Sequence, residues 1–422
     1  MQASHAPTVE FQDLFVSGDG GYHTYRIPAL AVTTRDTLLA FCEGRKHSRA
    51  DAGEIDLLLR RSLDGGRTWQ PTQVVASRPE MTCGNPAPVV DRDTGTIWLP
   101  FCQNPAEGGE EQIRKGWFER TVWLTRSDDD GATWAEPVEI TAAVKRPDWT
   151  WYATGPCHGI QLQSGRLLIP CDHRVRPAAG QPEARHSHVI FSDDHGATWQ
   201  IGGVVPQEGT NECVAVEMAD GAVYLNCRDQ ARRGRRCVAW SRDGGLTFPE
   251  YWWDETLIEP ACQASAIRLA GAGTPDPHRV LFCNPASASR DTLTIRLSED
   301  ECRTWPIARV LWPGPAAYSD LAVTGPTAVQ SEPAVGSDLA ATRAGSAPPR
   351  PAAGSDRPVT GRAGVRRGPS IGSGRAVMGA GGPGGEPAIW CLFERGVQSP
   401  YERLTLARFS LAWLLEAAPA GR

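Results

Sequence analysis

Seven side chains that could do acid, base or ion-pair chemistry sit in or beside strand-like runs of this 422-residue chain. Arg26 lies in Tyr25-Arg26-Ile27-Pro28, Glu212 in Asn211-Glu212-Cys213, Arg228 in Asn226-Cys227-Arg228 and Arg290 in Ser289-Arg290-Asp291. Tyr318 opens Tyr318-Ser319-Asp320, Glu394 closes the run from Ala388, and Asp51 follows a charged loop that begins at Glu43-Gly44-Arg45. Guanidinium groups pair with carboxylates in planar, bidentate fashion. Carboxylates and a phenol can exchange protons or attack an electrophilic carbon. Singly, each residue has an ordinary account. Arg26 reads as a strand-end arginine reaching solvent, the loop holding Arg45, Lys46, Arg49 and Asp51 as a solvated loop, and Tyr318 as a half-buried phenol. His158 reads as a hydrogen-bonded structural histidine. Together, three arginines, one tyrosine, two glutamates and one aspartate form a set that single accounts do not explain.

The elements that must position this set are announced by a repeat. Ser62-Leu63-Asp64-Gly65-Gly66-Arg67-Thr68-Trp69 returns as Ser127 to Trp134, Ser192 to Trp199, Ser241 to Phe248 and Ser298 to Trp305. Each copy reads as a hairpin turn: Ser and Asp bond nearby backbone N–H groups, Gly supplies a positive φ, and the terminal aromatic returns to the core. The last copy carries Cys302 where the others have Gly, which predicts a less regular turn there. The aspartates Asp64, Asp129, Asp194, Asp243 and Asp300 lie 65, 65, 49 and 57 residues apart. That spacing suits units of four short strands, the period of a β-propeller blade, and five boxes fit a ring of about six blades. The fold class read from this pattern is all-β, a six-bladed β-propeller.

Composition sets further bounds. Hydrophobic residues make up 41% of the chain and include 15 Trp, ample for a large core. The boundaries read as one catalytic domain over 1–325 and 387–415, an insertion over 326–386, and a tail over 416–422, with a short helix from Leu411 to Ala418. The insertion has no Phe, Trp or Tyr and is dominated by Pro, Gly, Ala, Ser and Arg, so it is expected to be disordered. Its seven Arg against four acids give +3, leaving −9 on the rest of a chain whose total is −6. No basic footprint for nucleic acid follows, and an anionic ligand has to be attracted locally. The 12 cysteines are scattered without CxxC or zinc spacing and read as buried free thiols. Cys171-Asp172-His173 is rejected as a metal site because adjacent strand residues face opposite ways. No metal or cofactor is called for. No apolar run of signal or transmembrane length appears, which predicts a cytoplasmic protein with no membrane span.

Tyr25-Arg26-Ile27-Pro28, the five boxes, Glu43-Gly44-Arg45 with Asp51, Asn211-Glu212-Cys213, Asn226-Cys227-Arg228 and Tyr318-Ser319-Asp320 together resemble the exo-α-sialidase (neuraminidase) family. The resemblance covers roughly residues 10–325 and 387–415. It implies a sialylated glycan substrate, whose sialic acid bears a carboxylate on its anomeric carbon. Arg26, Arg228 and Arg290 are then the clamp for that carboxylate, Glu394 holds Arg26, and Arg45 lies beside the sugar ring. A carboxylate nucleophile would be repelled there, and sialidases are the tyrosine exception among glycosidases. Tyr318 is implied as nucleophile, Glu212 as its base, and Asp51 as acid and then base, with retention of configuration. Asn85, Trp151, Tyr152, Asp172 and His173 fall where the family shapes pockets for the acetamido and glycerol groups. The activity implied is hydrolysis of terminal α-linked sialic acid from glycoproteins, glycolipids or oligosaccharides. A sialic-acid-binding propeller without turnover, or a trans-sialidase, is the alternative.

Overall fold

A computed structural model describes residues 8–178, 183–269, 278–325 and 388–416. The insertion expected at 326–386 and the tail beyond 416 lie outside the described residues. What is described is all-β apart from three short helices and falls within one compact unit. The strands form four sheets of nine, five, four and seven strands.

The nine-stranded sheet takes in Thr24–Val32, Leu38–Arg45, Ile55–Ser62, Ile97–Pro105 and Thr121–Ser127, and the five-stranded sheet is built on Trp149–Thr154, Leu167–Val175 and Arg185–Ser192. Four strands from Thr210–Glu217 to Glu250–Ile258 make the third sheet. In the seven-stranded sheet the first strand of the chain, Glu10–Val16, pairs antiparallel with the last, Arg403–Phe409. Strands of neighbouring sheets also touch in a circuit. Ile97–Pro105 meets Trp149–Thr154, Leu167–Val175 meets Thr210–Glu217, which meets Ser265–Arg268, and Ile307–Thr324 meets Thr24–Val32.

Every box begins on the last residue of a strand and leads to the next strand of its sheet, as the hairpin reading expects. In the first, Ser62 Oγ accepts the Gly66 N–H at 2.8 Å, while Asp64 accepts the Thr68 N–H at 2.9 Å and the Thr68 hydroxyl at 2.6 Å. The fifth box is as regular as the others, contrary to the sequence expectation. The Cys302 N–H reaches Ser298 Oγ at 2.8 Å with Cys302 itself at φ 65°. The backbone pattern is fixed by Ser298, Asp300 and Thr304, and it holds a non-glycine residue in the left-handed region.

All 12 cysteines are buried and free, as read. Other expectations change. The run Thr150 to Gly159 is aromatic, Gly-rich and proline-bent, a sequence that suits a loop lining a pocket mouth, but its first five residues lie on the strand Trp149–Thr154. Pro313-Gly314-Pro315 has the composition of a turn, yet it lies inside the 18-residue strand Ile307–Thr324. That strand changes partner at this point: Ile307 to Pro315 pairs with Asp291–Ser298, and Ala316 to Thr324 pairs with Ala388–Arg395. A break in the ladder is where prolines, which lack an N–H, are tolerated. The C-terminal helix spans only Leu411–Leu415, capped by Ser410 Oγ accepting the Trp413 N–H.

Candidate active site

Three strands that carry site residues are bulged at the same place. Register slips between Arg26 and Ala29, between Thr210 and Cys213, and between Ala316 and Ser319. A bulge re-aims side chains that regular alternation would send elsewhere. The slips therefore fall on or next to Arg26, Glu212 and Tyr318. In the first, Pro28 has no N–H to give the ladder and Ile27 adopts φ 59°, an expensive conformation for a β-branched residue. What holds it is Glu394, whose Oε1 accepts the Ile27 N–H at 3.0 Å.

Glu394, on the doubly covered strand Ala388–Arg395, has no solvent exposure. Its Oε1 accepts Arg26 Nε at 2.9 Å and its Oε2 accepts Arg26 Nη2 at 3.3 Å and the Tyr318 N–H at 3.2 Å. One carboxylate thus fixes an arginine and the backbone of the tyrosine. A buried charge is tolerated only when paired and hydrogen-bonded in this way.

Tyr318 is 5% exposed. Its hydroxyl donates to Glu212 Oε1 and accepts from Arg228 Nη1 at 2.9 Å. Arg228 Nη1 also binds Glu212 Oε2 at 2.6 Å. The guanidinium carbons of Arg26 and Arg290 stand 5.0 and 5.4 Å from the centre of the Tyr318 ring. Burial and the adjacent Glu212 carboxylate push the Tyr318 phenol well above its ordinary pKa, outweighing the opposing pull of the three arginines. The resting phenol is therefore protonated, with its base already in contact.

Asp51 lies on the loop after Leu38–Arg45, with a side chain 73% exposed. Its Oδ1 meets Arg45 Nη1 at 2.7 Å and Arg26 Nη1 at 3.1 Å. Desolvation opposes its ionisation, but Arg45 and Arg26 prevail and hold the carboxyl down to about 2. Arg45 is in turn held by Glu43 Oε2 at 2.7 and 3.0 Å and by the Arg49 carbonyl at 2.6 Å.

All eight residues singled out in the sequence are thereby connected: Arg26, Arg45, Asp51 and Glu394 on one side, Glu212, Arg228, Tyr318 and Arg290 on the other, with Arg26 over the Tyr318 ring joining the two. Sequence reasoning missed Tyr401, whose hydroxyl accepts from Arg290 Nη1 at 2.7 Å and whose ring lies 4.4 Å from the Arg26 guanidinium carbon. It also assigned no role to Glu43, the partner of Arg45. Of the flanking positions, Asp172 is buried beside Asn211, which donates to it at 2.7 Å. Asn85 accepts from Arg120 at 2.6 Å, and Trp151 stacks over Arg120 at 4.3 Å. Tyr152 and His173 are buried on His188. His158 is the hydrogen-bonded histidine expected, its Nδ1 2.8 Å from the fully buried Asp320.

Residues 36–330 match a family model described as a BNR repeat-like domain. The sialidase of Micromonospora viridifaciens is 38% identical over 333 residues, 75% of this chain and 50% of that protein. Sialidase-3 of Bos taurus is 32% identical over 372 residues, 73% of this chain and 85% of the relative. The solved structure of the Hadza microbial sialidase Hz136 superposes with a TM-score of 0.68 at 33% identity, covering 74% of this chain and 63% of that one. The chain thus spans half the length of the Micromonospora protein and most of the bovine one. With identities above 30% over about three quarters of its length, the chain belongs to the sialidase family.

Proposed function

We propose that this protein is an exo-α-sialidase that removes terminal α-linked sialic acid from glycans with retention of configuration, Tyr318 being the nucleophile. The observation that carries the reading is the Tyr318 hydroxyl held between Glu212 and Arg228, with Arg26 and Arg290 beside the same ring. The architecture proposed around it is one six-bladed β-propeller. The circuit of sheet contacts and the pairing of the first strand with the last support closure.

In the first step Tyr318 Oη attacks the anomeric carbon as Glu212 takes its proton. The glycosidic C–O bond breaks, and Asp51 gives a proton to the leaving oxygen. In the second step water attacks the same carbon and Asp51 recovers a proton from it. The bond to Tyr318 breaks, and the phenolate takes back its proton from Glu212. Two inversions give retention. A neutral nucleophile suits a carbon that already bears a carboxylate, and Arg26, Arg228 and Arg290 bind that carboxylate.

Asp51 is ionised at rest, so it needs a proton before it can act as an acid. The bound substrate supplies the condition. Its carboxylate competes with Asp51 for Arg26 and adds negative charge nearby, and both effects favour the protonated acid.

The test is release of 4-methylumbelliferone from its α-sialoside by wild type and by Tyr318→Phe between about pH 4 and 8. Turnover by wild type with collapse in the variant is expected, and free sialic acid as the product separates hydrolysis from transfer. Folded wild type that binds sialic acid without turning over the substrate overturns the reading.

A further inference from the structure

The three arginines proposed to clamp the carboxylate are not neutralised alike. Arg26 is paired with Glu394 and Asp51, and Arg228 with Glu212. Among the described residues, Arg290 has no carboxylate within ion-pair distance. Its hydrogen bonds go to the Tyr401 hydroxyl at 2.7 Å and the Ala261 carbonyl at 3.3 Å. Arg290 is therefore the member of the clamp whose positive charge is left for a ligand.

Two guanidinium groups flanking one ring repel each other, and the side chain between them is the neutral Tyr401. Its π face lies against Arg26 at 4.4 Å and its hydroxyl oxygen against Arg290. Both contacts present the negative part of a neutral group to a cation, without a charge that would compete with an incoming carboxylate. The Tyr401 ring also packs against the buried cluster of Ile27, Cys262, Ala317 and Tyr318.

The turn that carries Tyr401 is tied down. Glu402 accepts the N–H groups of Val397, Gln398 and Ser399 at 3.0, 2.7 and 2.9 Å. Ser17 Oγ donates to the Tyr401 carbonyl at 2.9 Å. A rigid mount is what a side chain needs if it is to hold another in place for binding.

We infer that Tyr401 is a positioning residue that presets Arg290 and Arg26 for the substrate carboxylate, acting through the arginines rather than on the reacting atoms. This rests on the sialidase reading above. Planar bidentate recognition is lost when either fork swings away, so the effect belongs to binding of the carboxylate.

The experiment compares wild type, Tyr401→Phe and Tyr401→Leu. It measures turnover of 4-methylumbelliferyl α-sialoside and inhibition by 2-deoxy-2,3-didehydro-N-acetylneuraminic acid and by its methyl ester. Tyr401→Phe keeps the ring under Arg26 and loses the bond to Arg290. It is expected to raise KM and the Ki of the acid by about tenfold, with kcat within about twofold and the ester's Ki unchanged. Tyr401→Leu, which loses both contacts, weakens the acid further. Unchanged KM and acid Ki in both variants, or equal weakening of acid and ester, overturns the assignment while leaving an active wild type to support the sialidase reading. Wild type that neither turns over the sialoside nor binds the acid overturns both.

Discussion

Glu394 and Tyr318 are joined through the backbone: Glu394 Oε2 accepts the Tyr318 N–H at 3.2 Å while the same carboxylate grips Arg26. Removing it with Glu394→Ala leaves Arg26 buried with only the exposed Asp51 as a charged partner and frees the strained Ile27. Breaking a buried ion pair from one side costs about 3–5 kcal/mol. Urea denaturation of Glu394→Ala is expected to reveal a loss of that size, and a loss below about 1 kcal/mol would contradict the role given to Glu394.

The boxes give the protein an acid-sensitive component of stability. The Thr68 hydroxyl and N–H hold Asp64 down to about 2, and Thr133 does the same for Asp129. Asp194, Asp243 and Asp300 are lowered as well. Folded values below the unfolded one, about 3.9, mean that this stability is complete above pH ~4 and is lost as pH falls through about 2. Urea midpoints between about pH 2 and 6 follow that curve. A Thr68→Val, Thr133→Val double variant should start lower at about pH 6 and lose less on acidification.

Two glycines at nearly the same φ separate backbone strain from packing. Gly196, in the third box, has φ 87°, and a Cβ there would stand 2.1 Å from the Trp98 ring. Gly221 has φ 83° with nothing within 4 Å of such a Cβ. Gly221→Ala should cost about 1 kcal/mol from left-handed strain alone. Gly196→Ala should cost about 2–3 kcal/mol more, because the core tryptophan has to move. Equal losses in thermal melts would show that Trp98 does not constrain the box.

Asp51 acts by giving a proton to the leaving group, so its importance depends on how much that group needs one. Asp51→Asn should slow release from sialyllactose by about 10²–10⁴-fold. With 4-methylumbelliferone, whose phenolate leaves without help, the loss should be much smaller. Initial rates with both substrates decide this, and equal losses would place Asp51 in binding instead.

Much of this arrangement was legible in the sequence because it depends on local chemistry. A box is a turn closed by residues within eight positions, so its Ser, Asp, Gly and Thr announce it wherever it occurs. Charged residues in apolar strands were visible for the same reason: burial of Arg26 or Glu394 needs an explanation. Contacts between distant parts were not legible. Arg26 and Glu394 are 368 residues apart, and Arg290 reaches Tyr401 across 111. Tyr401 sits in an ordinary-looking turn, Ser399-Pro400-Tyr401, with no periodicity to mark it. The bulges at Ile27, Glu212 and Tyr318 were equally hidden, since only Pro28 signals a break in the ladder. The long strand through Pro313 and Pro315 misled because a change of partner strand leaves the same proline signature as a turn.

Covalent trapping tests the central claim most directly. The purified protein is incubated with a 2,3-difluorosialic acid, whose fluorine at C3 slows breakdown of a glycosyl intermediate, then digested and analysed by mass spectrometry. The account predicts one sialosyl adduct on the peptide containing Tyr318, absent from Tyr318→Phe. An adduct on Glu212 or Asp51, or turnover of the α-sialoside with inversion of configuration and no adduct, would contradict it.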